Sequence, residues 1–115
     1  MVALKAELFA APDDAWNRVP ITVNHHKWLL EWVRFGDGCG FCFSFTSPRG
    51  RMYSFYTDGG HGRVTSAEVV VADGSANVAS YYKSWSDKLD RLDAVIRLTP
   101  KHIIDRLHTL LDAIG

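Results

Sequence analysis

The sequence predicts an α+β fold: an antiparallel meander followed by helices packed on one sheet face. Two observations predict it. Between residues 28 and 73, short runs of alternating side chains are separated by turn residues, the pattern of half-buried strands. Further on, the apolar spacing changes from two residues to three and four, the period of a helix. Strands grouped before helices place the helices together on one face. The expected strands are about 28–35, 39–46, 51–57 and 63–72, with 2–10 as a candidate fifth. The expected helices are about 78–97 and 100–114, and residues 1–115 form a single domain.

Residues 2–10 alternate as Val2, Leu4, Ala6 and Leu8 against Ala3, Lys5, Glu7 and Phe9. That suits a strand, although Leu4 and Leu8 also lie one helical turn apart. A second short strand fits Ile21 to Asn24, after Pro20. In the central meander two turns fix the register. Asp37 and Gly38 form a favoured two-residue hairpin loop, because glycine accepts the positive φ the turn requires. This loop pairs Trp32 with Phe43, Leu30 with Phe45 and Val33 with Cys42. Pro48, Arg49 and Gly50 suit a three-residue loop, with glycine at the left-handed bulge position. It pairs Phe45 with Tyr53, Phe43 with Phe55 and Cys42 with Tyr56.

The two turns agree, and together they sort the side chains. One face collects Leu30, Trp32, Phe41, Phe43, Phe45, Tyr53 and Phe55; this aromatic face is the expected core. The other collects Leu29, Glu31, Val33, Cys42, Ser44, Thr46, Met52, Ser54 and Tyr56. A slip of one residue would scatter the aromatics over both faces. Residues 58–62 form a glycine-rich loop before the fourth strand, which Asp73 and Gly74 close. Tyr81, Trp85, Leu89, Leu92 and Ile96 make an amphipathic helix that starts near Ser75 or, with 77–85 extended, at Ser86. Thr99 as an N-cap with Pro100 in the first helical position opens the last helix. Its buried stripe is Ile103, Leu107, Leu110 and Ile114.

A chain of 115 residues supports one core. Thirteen basic residues balance thirteen acidic ones, which argues against bulk nucleic acid or an anionic membrane as partner. No apolar run approaches the length a bilayer needs. Lys5 and Glu7 interrupt an N-terminus without a basic flank, a poor secretory signal. Two cysteines cannot build a disulfide framework, so the expected location is the cytoplasm.

Cys39, Gly40, Phe41 and Cys42 resemble the C-G-x-C redox motif of thioredoxin-like proteins, in which the motif opens a helix after a strand. Here Phe43 to Thr46 continue a strand, and residues three apart on a strand point to opposite faces. Cys39, Cys42 and His61 are the candidate metal ligands. However, no second compact ligand pair stands at zinc-finger spacing, so neither metal nor cofactor is expected. Gly40, Phe41, Cys42 and Phe43 also resemble the G-F-x-F centre of the RNP1 motif in RNA-recognition and cold-shock domains. That resemblance implies exposed rings stacked on bases. It lacks the basic residue before the glycine and the aromatic at position 46. His102, Asp105, His108 and Asp112 fit an exposed helix face. No P-loop, dinucleotide fingerprint or nucleophile elbow occurs.

The expected function is therefore binding of another protein. The second sheet face mixes apolar anchors with polar neighbours, the composition of a contact surface. Its candidate contacts are Glu31, Val33, Phe35, Arg49, Arg51, Met52 and Tyr56. The class this suggests is a stoichiometric inhibitor or adaptor, of the toxin-immunity or phage anti-defence type, acting by steric occlusion. A homodimer through the meander edge or this face is compatible with the same pattern. The alternative is a small-ligand or enzymatic domain with a pocket between sheet and helices, lined by Tyr81, Tyr82, Trp85 and His61. A single-stranded nucleic-acid module ranks third.

Overall fold

In the computed structural model, residues 2–36, 38, 40–57, 64–70, 79–80 and 95–115 are described. Six strands, β1 (Asn17–Val23), β2 (His26–Arg34), β3 (Phe41–Thr46), β4 (Met52–Thr57), β5 (Val64–Val70) and β6 (Ala79–Ser80), form one sheet in chain order. Every neighbouring pair is antiparallel. Among the described residues, helices α1 (Val2–Ala10) and α2 (Lys101–Ile114) flank the sheet in sequence, with a further helical turn at 95–98. The class is α+β, as the change of period predicts.

The register inferred from the turns is the register found. Trp32 faces Phe43, Leu30 faces Phe45 and Val33 faces Cys42. Across the next ladder Phe45 faces Tyr53, Phe43 faces Phe55 and Cys42 faces Tyr56. Gly50 carries φ 87° and donates its N–H to Ser47 O at 2.9 Å. This is the left-handed position the three-residue loop required, and a side chain there would be strained.

The N-terminal third departs from expectation in two ways. Residues 2–10 are helical, not a fifth strand, and the short strand expected at Ile21 to Asn24 starts earlier, running from Asn17 to Val23. The helical alternative places Leu8 in the core at 1% exposure while Glu7 stays in solvent. Strand β1 is joined to β2 by Asn24 and His25, both at positive φ (49° and 68°), the conformation of a two-residue type I′ hairpin. Asparagine tolerates it; histidine there is held by the hairpin.

Two expectations about the C-terminal third also change. Ala79 and Ser80 pair with β5, so a helix starting near 75 or 78 is excluded and these two residues follow the extended alternative; the expected span 81–94 lies outside the described residues, and 95–98 are helical. Thr99 closes that turn rather than capping the next helix: its hydroxyl donates to Val95 O at 2.7 Å. Pro100 is the N-cap of α2, with φ −55° and ψ 139°. Its missing N–H is harmless there, and its carbonyl accepts from Ile103 and Ile104 N–H.

One hydrophobic cluster joins the aromatic sheet face to both helices. Phe41, Phe43, Phe45 and Phe55 are at most 2% exposed, among Leu8, Val95, Ile103, Leu107, Leu110 and Ile114. Phe41 stacks on Phe43 with ring centres 5.6 Å apart, and Phe45 meets Phe55 edge-on at 6.2 Å. Burying each ring stabilises the fold by roughly 1.5–3 kcal/mol.

The α1–β1 connection is tied to the end of β2. Arg34 pairs with Asp13 at 2.6 Å and donates to Ala11 O at 2.6 Å. Asp14 receives the Gly36 N–H at 3.1 Å. A Cβ on Gly36 would stand 2.9 Å from the Asp13 Cβ, so only glycine permits this approach. The clamp leads the chain into β1 and so fixes where Trp16 emerges.

Candidate functional site

Opposite the aromatic core, the register lines up polar residues across five strands. Arg18 on β1 faces Glu31 on β2, which faces Ser44 on β3, then Ser54 on β4, then Glu68 on β5. Because facing residues in a ladder share a face, this is one continuous polar row. Val33, Cys42 and Tyr56 run along one side of it, and Leu29, Thr46 and Met52 along the other.

The middle of the row is buried. Ser44 and Ser54 are 4% and 2% exposed, and their hydroxyls lie 2.8 Å apart, each satisfying the other. The Cys42 thiol lies 3.8 Å from Ser44 Oγ and is also hydrogen-bonded by Tyr56. Burial pushes the thiol pKa up. The Ser44 and Tyr56 hydrogen bonds oppose this and the nearby Glu68 charge adds to it. The thiol therefore stays protonated at neutral pH, so it is a poor nucleophile.

Charged residues flank this centre, and the register runs on from Glu68 to Ser80 on β6. Arg18 Nε lies 3.3 Å from Glu31 Oε2, with the arginine side chain 70% exposed; such a pair is weak and readily exchanged. Glu68 makes no ion pair among the described residues. A groove of about 400 Å³ runs over the row, lined among the described residues by Trp16, Glu31, Ser44, Met52, Ser54, Tyr56 and Glu68. Trp16 stands 55% exposed at its edge.

Paired carboxylate catalysis does not fit. Strands lie about 4.8 Å apart, so three steps separate the Glu31 and Glu68 backbones by roughly 14 Å. Arg18 draws the Glu31 carboxylate towards β1, away from Glu68. Glycosidases hold their two carboxyl groups about 5–9.5 Å apart, and aspartic proteases about 3 Å apart.

Of the expected contact residues, the groove gathers Glu31, Met52 and Tyr56. Val33 is buried at 2% and supports the face from within; a charge there would break the packing before it tested any surface. Phe35 lies beside a separate cleft with Phe9, Arg34 and Phe41. Arg49 and Arg51 are exposed at the β3–β4 turn and line none of the grooves described here. Trp16 and Glu68 are the residues the sequence reading missed. Carrying the register on to β5 would have placed Glu68, whereas Trp16 lies outside every expected element.

The rings in the stretch resembling RNP1, Phe41 and Phe43, are in the core and cannot stack on bases. Cys39, His61, Tyr81, Tyr82 and Trp85 lie outside the described residues. Among the described residues no group of three His, Cys, Asp or Glu side chains could hold a metal ion, and no helix is long and apolar enough to cross a membrane. Comparison with protein-family models, with curated proteins and with solved structures finds no match to this chain.

Proposed function

We propose that this chain is a protein-binding module, a stoichiometric inhibitor or adaptor of the immunity or anti-defence type, acting in the cytoplasm by covering its partner's surface. The binding surface is the groove over the polar row, and its occupant is a lysine or arginine side chain projecting from the partner. The observation that carries this reading is the composition of the groove. An acidic residue without an ion pair among the described residues, Glu68, stands at one end, and apolar or aromatic walls, Met52, Tyr56 and Trp16, flank buried hydroxyls.

A long basic side chain matches that layout in two parts. Its methylene stem lies along Met52 and the aromatic rings, where burying apolar surface is favourable. Its charged head reaches Glu68, while Glu31 at the far side of the row keeps its pair with Arg18. Cation–π attraction to Trp16 adds to this. The β1 edge favours face binding over strand addition, because Pro20 has no N–H to offer an incoming strand. Cytoplasmic placement is supported by the free, buried Cys42, which needs no oxidising compartment.

The test is titration of the protein with arginine-containing and lysine-containing peptides, against the same peptides carrying glutamine instead, followed by amide chemical shifts. The basic peptides should perturb Trp16, Met52 and Glu68, and Glu68→Gln should weaken them about tenfold, the worth of one charge-assisted contact. Equal binding of the glutamine peptides, or unchanged affinity in Glu68→Gln, would overturn this reading.

A further inference from the structure

A second cavity lies on the opposite side of the sheet, between α1, α2 and the first two strands. It measures about 220 Å³. Its walls are Leu8, Ile21, Leu30, Trp32, Phe45 and Leu110, all apolar. The helices leave it open at the β1 edge, where Val19, on the core-facing side opposite Leu30, remains 41% exposed. An apolar cavity of about 150 Å³ already accepts a benzene ring, so this one holds a phenyl or branched aliphatic group with room for the carbon that bears it.

The lining carries two opposite charges. Glu7 comes from α1 and Arg106 from α2, with Thr109 near the arginine. Both charged residues are exposed, and neither takes part in an ion pair among the described residues. The guanidinium is positioned by donating from Nη2 to Thr22 O at 3.3 Å. That uses one of its five N–H donors and leaves the rest for an anion. An apolar hole whose lining carries an anion and a cation, neither in an ion pair among the described residues, is complementary to a zwitterion with an apolar tail.

We propose that this cavity binds a free α-amino acid with an aliphatic or aromatic side chain. The side chain fills the hole, the α-ammonium meets Glu7 and the α-carboxylate meets Arg106. A hydrocarbon alone would leave both charges to solvent and gain nothing from them, and an amine or an acid alone would engage one. The site is separate from the groove over the polar row and does not depend on that assignment.

The experiment is calorimetric or NMR titration of the full chain with phenylalanine, leucine, phenethylamine, 3-phenylpropanoate and toluene. Phenylalanine should bind more tightly than either singly charged analogue by about tenfold, the worth of one charge-assisted contact at an open rim. Glu7→Gln should weaken phenylalanine and phenethylamine while sparing 3-phenylpropanoate. Arg106→Gln should weaken phenylalanine and 3-phenylpropanoate while sparing phenethylamine. Both residues are exposed, so neither variant threatens folding. A thermal melt of each checks this, and Thr109→Trp, also at an exposed position, should block all five ligands by occlusion. Toluene binding as tightly as phenylalanine, equal losses for every ligand in both variants, or no binding of any amino acid up to about 10 mM, weaker than the roughly 1 mM end of ordinary affinities, would overturn the proposal. Basic-peptide binding to the other face should be unaffected by any of these variants, so the two assignments fail independently.

Discussion

The two faces of one sheet use the same strands for opposite purposes. On the core face, facing positions are Trp32 with Phe43, Leu30 with Phe45 and Phe43 with Phe55; they are large, apolar and buried. On the other face, the positions one residue along are Glu31 with Ser44, Ser44 with Ser54 and Ser54 with Glu68. Alternation thus segregates nonspecific stabilisation from directional chemistry. The buried serines show that the second face is not a plain solvent face. Its centre is dehydrated, and a dehydrated hydroxyl must be paired. That pairing makes the polar row a defined surface instead of a random set of exposed side chains.

The sharpest way to break this contrast is to remove bulk from each face in turn. Phe43→Ala deletes a ring that is completely buried and leaves a cavity between sheet and helices. The expected loss is about 3–5 kcal/mol, measured by denaturant unfolding. A loss under 1 kcal/mol would mean that the aromatic face does not carry the fold.

How much of this contrast was legible beforehand depended on turn chemistry. Asp37 with Gly38, and Pro48 with Gly50, are unambiguous turn signals, so the central ladders and both face assignments could be set residue by residue. The strand at Asn17–Val23 was only half legible. Pro20 interrupts its alternation, and Asn24 with His25 lacks the glycine that normally announces a tight hairpin. Residues 2–10 have a period compatible with helix and strand; packing of Leu8 against the core decides between them. The candidate groove was legible where the register reached it, at Glu31, Met52 and Tyr56. Trp16 was invisible because it is placed by the Asp13–Arg34 clamp, a contact across the chain with no local pattern.

A smaller effect tests whether the buried hydroxyls act as a pair. Ser44→Ala removes the partner of Ser54 and leaves that hydroxyl buried without it, an expected cost of about 1–3 kcal/mol. Ser44→Ala with Ser54→Ala removes both polar groups, so the double variant should lose less than the sum of the singles. The four-species cycle by urea unfolding gives the coupling directly. Strict additivity would show that the 2.8 Å contact contributes nothing, and the second face would then be merely polar.

The smallest effect at neutral pH, and the most specific, concerns Cys42. Burial raises its pKa above the ordinary 9.0, so the native state keeps the thiol proton where the unfolded chain has released it. The stability this contributes is fully present below the unfolded value and is lost as pH climbs from there through the raised native value. In a Cys39→Ser background, which leaves Cys42 as the sole thiol, unfolding free energy should fall between pH 8 and pH 10 more steeply than in the same chain carrying Cys42→Ala. Taking the difference cancels the lysines and tyrosines that titrate in the same range. Iodoacetamide should label the thiol only on unfolding, because the native protein offers neither access nor thiolate. Parallel pH profiles, or rapid native labelling, would place Cys42 in solvent and remove the dehydrated centre on which the contrast between the faces depends.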